Sequence, residues 1–253
     1  IGLSYETASA LNPQLVYACI SGYGDEGEWN GRPGQDLLLQ GVSGIAYLSG
    51  NRDDAPTPMG VAAADIIAGT HLVQGILAAL FGRFTTGAGK LVEVNMLESL
   101  LDFQFEVLTC FYNDGHELPE RSAVNNGHAY IAAPYGIYKT REGYLALAMG
   151  NIPDLGRLLG CEALLAFTDP GDWFDKRDEI KNLLKEFLLT RSAREWLAIL
   201  EPADIWCAEV LDYDALKKEE GYKVLEMEQE VSIGDGWLKT TRCPIRVDGQ
   251  LLN

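Results

Sequence analysis

The sequence predicts an α/β protein followed by a smaller α+β module, on three observations. Residues 15–20, LVYACI, form a continuous apolar run, as in a parallel-sheet strand covered on both faces. Residues 60–90 read as one long helix, apolar or small nearly all round, followed by a short strand at 91–94. From Asn113 the texture changes to a polar, turn-rich stretch, then to a hairpin signal and several short helices.

In chain order, residues 4–11 predict a helix with Ser4 as its cap, closed by Asn12-Pro13. The apolar strand ends in Ser21-Gly22-Tyr23-Gly24, and in open α/β folds ligands bind beyond the carboxyl ends of strands. Residues 25–35 form an irregular polar loop in which Arg32 is the single cation. Asp36 is placed to cap a helix over 37–48. Residues 50–58 are a turn-rich connection to the long helix, which stops at the glycine signal of residues 85–89. Residues 96–112 predict one further helix. Residues 113–128 read as a linker. Residues 140–143 join two hairpin strands, 135–139 and 144–148, and helices follow at 152–159, 176–189, 192–200 and 213–218. Residues 231–247 return to strand character. The opening at Ile1 reads as the middle of a domain, so further sequence is expected upstream or on another chain.

A length of 253 residues supports a sizeable core, and the formal net charge of −17 disfavours nucleic acid and anionic membrane as partners. An anionic small ligand needs only a local basic patch. The five cysteines are scattered with no CxxC pair, which predicts reduced thiols, a cytoplasmic setting and no zinc site. No signal peptide is read, and Asp65 and His71 interrupt the best candidate for a membrane span.

Asp65 is the one carboxylate in the long helix, with Ala68 and Gly69 one turn away. An Asp in a first turn commonly serves free N–H groups and the helix dipole. A carboxylate on a buried, small-residue helix is alternatively a desolvated group with a chemical task.

The ordered series ISGYG, GRPGQDLLLQGVSG, PTPMGVAAADIIAG and GILAALFGRFTTGAGKLVEVNMLES resembles the class III CoA-transferase (CaiB/BaiF) family, which includes formyl-CoA transferase, carnitine CoA-transferase and the α-methylacyl-CoA racemases. The likeness is dense from Gly2 to about Leu101 and looser but still ordered through GIYKTREGYLALAMGN. It implies a doubly wound, Rossmann-like CoA-binding large domain, incomplete here, over 1–128. A small α+β domain over 129–230 and a return segment over 231–253 complete the expected layout. It also implies an interlocked homodimer, acyl-CoA and carboxylic acid substrates, and no metal or redox cofactor.

In the family's transferases the residue matching Asp65 is the nucleophile, giving an aspartyl anhydride and then an aspartyl-CoA thioester. Arg32 suits a CoA phosphate, since the guanidinium fork matches phosphate, and equally suits a solvated loop cation. The resemblance places Met96 near the thiol end, although a Met on a helix also suits core packing. The family's glycine-rich loop corresponds to Val124-Asn125-Asn126-Gly127-His128, where one glycine replaces several; Asn126, Gly127 and His128 remain as hydrogen-bonding candidates. The racemase branch pairs an Asp with a His in a Gly-His-Asp context. Here Gly34-Gln35-Asp36 stands there, and glutamine has no titrating group. Transferase chemistry is therefore expected over racemase or isomerase chemistry, with a non-catalytic fragment or subunit completing a partner's CoA site as the third reading. His71 is expected to be a satisfied core histidine, His116 a solvated linker residue, and the acid run from Glu219 to Glu230 an exposed face.

Overall fold

The computed structural model describes residues 2–252 and divides into two compact units, Ile1–Cys207 and Ala208–Asn253. In the first unit, helix α1 (Tyr5–Leu11) is capped by the Ser4 hydroxyl, which accepts from the Thr7 N–H. Strand β1 (Tyr17–Ser21) pairs in parallel with β2 (Leu91–Asn95), Tyr17 opposite Leu91 and Ser21 opposite Asn95. Between them in sequence lie α2 (Asp36–Val42), a 3-10 turn at Ile45–Tyr47, and α3 (Ala63–Thr86). The predicted helix over 37–48 thus breaks into two pieces, with Gly44 at φ 87° between them.

Helix α3 ends where Gly87 takes φ 69°, a left-handed cap that a side chain would strain. Its small face is the buried one, through Ala63, Ala64 and Ala68. The large apolar residues face outward: Phe81 is 78% and Phe84 85% exposed. The expectation of a helix buried all round is corrected in this respect. The reason is geometric, since small side chains let neighbouring backbone approach while Phe81 and Phe84 stay exposed. Strand β1 is corrected likewise: Ala18, Cys19 and Ile20 are exposed, because β1 pairs with one strand and α3 packs the sheet. By length and composition α3 is also apolar enough to cross a membrane, contrary to the sequence reading. Its setting is that of an α/β crossover helix, with Val92 of β2 filling the space beside Gly75 and Arg83 Nη1 donating to the Gln14 carbonyl at 3.1 Å.

After β2, the predicted single helix over 96–112 is two, α4 (Met96–Phe103) and α5 (Phe105–Asn113). Gln104 divides them. Its side-chain amide donates to the Leu100 carbonyl at 3.0 Å, while its own N–H reaches Leu101. The side chain thereby takes the acceptor that would continue the helix.

The hairpin of β3 (Gly136–Lys139) and β4 (Tyr144–Leu147) forms as expected, in antiparallel register. Helices α6 (Ile152–Leu159), α7 (Asp172–Asp175), α8 (Arg177–Phe187) and α9 (Ala193–Leu200) pack around it. Their core joins Tyr138, Leu145, Ile152, Leu184 and Trp196. A separate core joins Leu39, Ile45, Ala63, Ala64 and Leu100. Ser192 and Glu195 form a reciprocal capping box on α9. A short strand, β5 (Cys207–Glu209), begins where the first unit ends.

In the second unit, α10 (Tyr213–Leu216) and α11 (Glu220–Lys223) precede the antiparallel pair β6 (Glu228–Ile233) and β7 (Gly236–Thr241), and the short pair β8 (Arg246–Val247) and β9 (Gln250–Leu251). Glu228 lies on an exposed face, as the acid run suggested, and pairs there with Lys217 at 3.0 Å and with Lys239. The Lys239 and Lys217 hydrogen bonds hold its carboxyl down at about 2.

Candidate functional site

The start of α3 is built by its neighbours. Its cap residue, Ala62, offers no side-chain acceptor. The Asp36 carboxylate serves instead, Oδ1 accepting from the Ala64 N–H at 2.7 Å and Oδ2 from Gln40 Nε2 at 2.7 Å. Gln40, 1% exposed, also donates to the Val61 carbonyl at 3.1 Å and accepts from the Met59 N–H at 2.8 Å. Asp36 was expected to cap its own helix; it sits inside the first turn of α2 and caps α3 across the packing interface. A charge-assisted bond to an orphan helix N–H is worth more than a neutral one.

Asp65 is thereby released from capping. Its side chain is exposed, and among the described residues no hydrogen bond or ion pair engages it within the chain. The expected burial of this carboxylate is corrected, because Asp65 and its neighbour Ile66 lie on the exposed side of α3.

Gln35 and Met96 are brought to the same corner. Gly22 and Gly34 touch backbone to backbone: a Cβ on Gly22 would lie 2.6 Å from Gly34 Cα. The loop carrying Gln35 is so pressed against the end of β1, and the Gly22 carbonyl accepts from Leu97 N–H at 3.1 Å at the start of α4. Met96 packs on the cluster containing Ala63 and Ala64. Gln35 itself is exposed and gives α2 no side-chain cap. Arg32 lies further along the loop, its guanidinium 5.8 Å from the centre of the Trp29 ring, which meets Tyr23 edge-on.

Asn126, Gly127 and His128 occupy a different edge. Asn126 Oδ1 accepts from Ser122 N–H at 3.0 Å, and its own N–H donates to Asn51 Oδ1 at 3.1 Å. His128 Nδ1 accepts from Tyr130 N–H at 3.1 Å, leaving Nε2 4.0 Å from a Glu106 carboxylate oxygen. His128 lines a cavity of about 250 Å³ with Met59, Phe103 and Glu106. Gly127 lies against Tyr135, where a Cβ would come within 2.8 Å of the ring. Among the described residues no bond links this loop to Asp65; the connection runs through Met59, Gln40 and Asp36.

The stretch 119–128 is not a loose linker. Arg121 is buried and donates to the carbonyls of Ser49, Arg52 and Asp54. Lys181 on α8 donates to Ser122 Oγ at 2.8 Å. His71 is a correction too: it is half-buried, and its Nε2 lies 3.3 Å from an Asp102 carboxylate oxygen across α3 and α4. His116 is exposed as expected, with its ring against Phe111. Among the described residues no cluster of three metal-ligating side chains occurs.

The sequence profile of CoA-transferase family III matches residues 1–252. The chain belongs to that family. Its relatives include the acetyl-CoA:oxalate CoA-transferase of Acetobacter aceti, 29% identical over 84% of this chain and 55% of that protein. The succinate–glutarate CoA-transferase of Agrobacterium fabrum is 35% identical over 66% of this chain and 41% of that protein. The chain thus spans about half the length of the curated relatives it matches. Among solved structures, a CaiB/BaiF family protein from Brucella suis superposes with a TM-score of 0.81 at 27% identity, over 100% of this chain and 66% of that one. The protein Rv3272 of M. tuberculosis gives 0.81 at 22%, over 99% of this chain and 67% of that one, a likeness of fold.

Asp36, Gln40, Ser122 and Lys181 were missed as site-building residues. The available signal was a polar side chain on an apolar stripe: Gln40 within LLLQGV, and Lys181 between Ile180 and Leu184.

Proposed function

We propose that the protein transfers coenzyme A between an acyl-CoA thioester and a carboxylic acid, with Asp65 as the covalent nucleophile. The observation that carries this reading is the division of labour at α3: Asp36 caps the helix, and Asp65 is a carboxylate the fold does not use. An Asp65 oxygen attacks the thioester carbonyl, the C–S bond breaks, and CoA thiolate leaves a mixed anhydride. The thiolate attacks the aspartyl carbonyl and expels the first acid as carboxylate, giving an aspartyl-CoA thioester. The acceptor carboxylate then expels the thiolate to form a second anhydride. Thiolate attack on the acceptor acyl carbon releases the new acyl-CoA and the free Asp65 carboxylate. Each step exchanges one acyl bond for another, and no net proton or electron is needed.

The same reading assigns Arg32 to a CoA phosphate and Met96 and Gln35 to the thioester end. Donors of Gly127 and His128 then serve the oxyanion, and Asn126 braces the loop through Ser122 and Asn51. It takes residues 1–128 as part of a doubly wound, Rossmann-like CoA-binding domain, 129–230 as the small domain and 231–253 as a return segment. The outward apolar stripe of α3 supports burial in an interlocked homodimer, and the reduced-cysteine pattern supports a cytoplasmic setting. The names of the relatives, acetyl-CoA:oxalate and succinate–glutarate transferases, support short dicarboxylic acids as acceptors. Gln35 argues against a two-base racemase, since it has no proton to relay.

The test is turnover. The protein is incubated with acetyl-CoA or succinyl-CoA and oxalate or glutarate, and new thioester is followed by chromatography. Acceptor-dependent thioester formation, abolished in Asp65→Asn, is expected. Exchange of the α-proton with deuterium in the absence of an acceptor would overturn the transferase reading in favour of a racemase.

A further inference from the structure

We infer that Lys181 is a positioning residue for the Asn126–His128 loop, a role that rests on the transferase reading of that loop. Lys181 lies on α8, remote in sequence from every candidate residue, and is 0% exposed. Its ammonium donates to Ser122 Oγ at 2.8 Å and to the Asn125 carbonyl at 3.3 Å. These two acceptors bracket the stretch immediately before Asn126. Ser122 is itself 0% exposed. The Lys–Ser pair is therefore a strut, since no substrate can reach the hydroxyl for nucleophilic attack.

The rest of the loop's backbone is shaped around this strut. Asn125 takes φ 50°, a left-handed conformation unusual for a side-chain-bearing residue, and its amide donates to the Ile137 carbonyl of β3 at 2.6 Å. The Asp178 carboxylate, in the first turn of α8, accepts from the Ala123 N–H at 2.8 Å and from Arg52 Nη2 at 2.5 Å. Helix α8 thus grips the loop at Ser122, Ala123 and Asn125, and the loop in turn presents Asn126, Gly127 and His128. A buried lysine is costly, because the ammonium is desolvated and Arg177 lies nearby; both effects lower its proton affinity, to about 8. A methionine would fill the same space without that cost, whereas only the ammonium supplies donors to both ends of the turn.

The loop holds one glycine, Gly127, and its conformation is set from outside by α8. The consequence is that donors to a developing oxyanion are held in place before substrate arrives.

The test compares wild type with Lys181→Met, which removes both donors, and Ser122→Ala, which removes one acceptor and leaves the lysine. Amide hydrogen exchange is read by mass spectrometry, and steady-state kinetics are measured with succinyl-CoA and glutarate. Exchange across residues 122–128 is expected to rise about tenfold or more in Lys181→Met and less in Ser122→Ala, with β3 and β4 unchanged. The kcat is expected to fall about tenfold to a hundredfold with little change in KM for the acyl-CoA. Unchanged protection of 122–128, equal loss across the whole module, or full kcat with a loosened loop would each overturn the inference. A wild-type protein without turnover sinks the transferase reading and the catalytic half of this inference; the grip of α8 on the loop is still decided by the exchange data.

Discussion

Replacing Gly22 by Ala tests whether the Gly22–Gly34 contact sets the site. A Cβ at Gly22 would sit 2.6 Å from Gly34 Cα and 3.3 Å from its nitrogen, where ordinary contact begins at 3.4 Å. Both atoms are backbone, so no side chain can turn away, and the loops must part by about 1 Å. Overpacking of this kind costs about 1–3 kcal/mol. The displaced loop carries Gln35 and Asp36, and Asp36 holds the first turn of α3. A shift of about 1 Å at reacting groups costs about 10²-fold in rate. Urea unfolding gives the stability change, and thioester exchange at saturating acyl-CoA gives kcat. Stability and kcat both equal to wild type in Gly22→Ala would refute the reasoning, because the close approach would then be slack rather than tight.

Other perturbations follow from the same contacts. Asp36→Ala removes the acceptor of the Ala64 N–H and of Gln40 Nε2, and urea denaturation is expected to show a loss of about 2–3 kcal/mol. Lys181 carries a proton less readily folded than unfolded, so the unfolded chain binds more protons between about 8 and 10.5, and stability gained from this group rises with pH in that window. Relative to Lys181→Met, wild type is expected to gain on the order of 3 kcal/mol from pH 8 to 10.5; a constant difference would contradict the burial argument. Glu195 is held down at about 2 by the Ser192 backbone and hydroxyl, with Arg141 adding to them. Its contribution is complete above the ordinary carboxyl value of 4.5 and is lost as pH falls through about 2, so Glu195→Gln is expected to flatten the acid limb of the melting-temperature profile between those values.

The parts of the fold written in local pattern were legible. The β3–β4 hairpin follows from its turn residues, α9 from its capping box, and the end of α3 from Gly87. The breaks at Gly44 and Gln104 were not, because each depends on a local turn or side-chain hydrogen bond that periodicity does not encode. At the candidate site, Asp65 stood out as a lone carboxylate on an apolar helix. Its freedom from capping did not, since that depends on Asp36 reaching across 28 residues. The exposure of α3 and β1 escaped prediction because hydropathy reports that a surface is apolar, not which chain covers it. Lys181 was hidden for a related reason: a lysine on a helix reads as solvated until its partners are placed.

The most direct measurement of the central claim is peptide-mapped mass spectrometry of protein incubated with succinyl-CoA and trapped with hydroxylamine. The account predicts a hydroxamate on the peptide holding Asp65, absent in Asp65→Ala. Acceptor-dependent thioester exchange with that peptide unmodified, or an adduct on another residue, would contradict it.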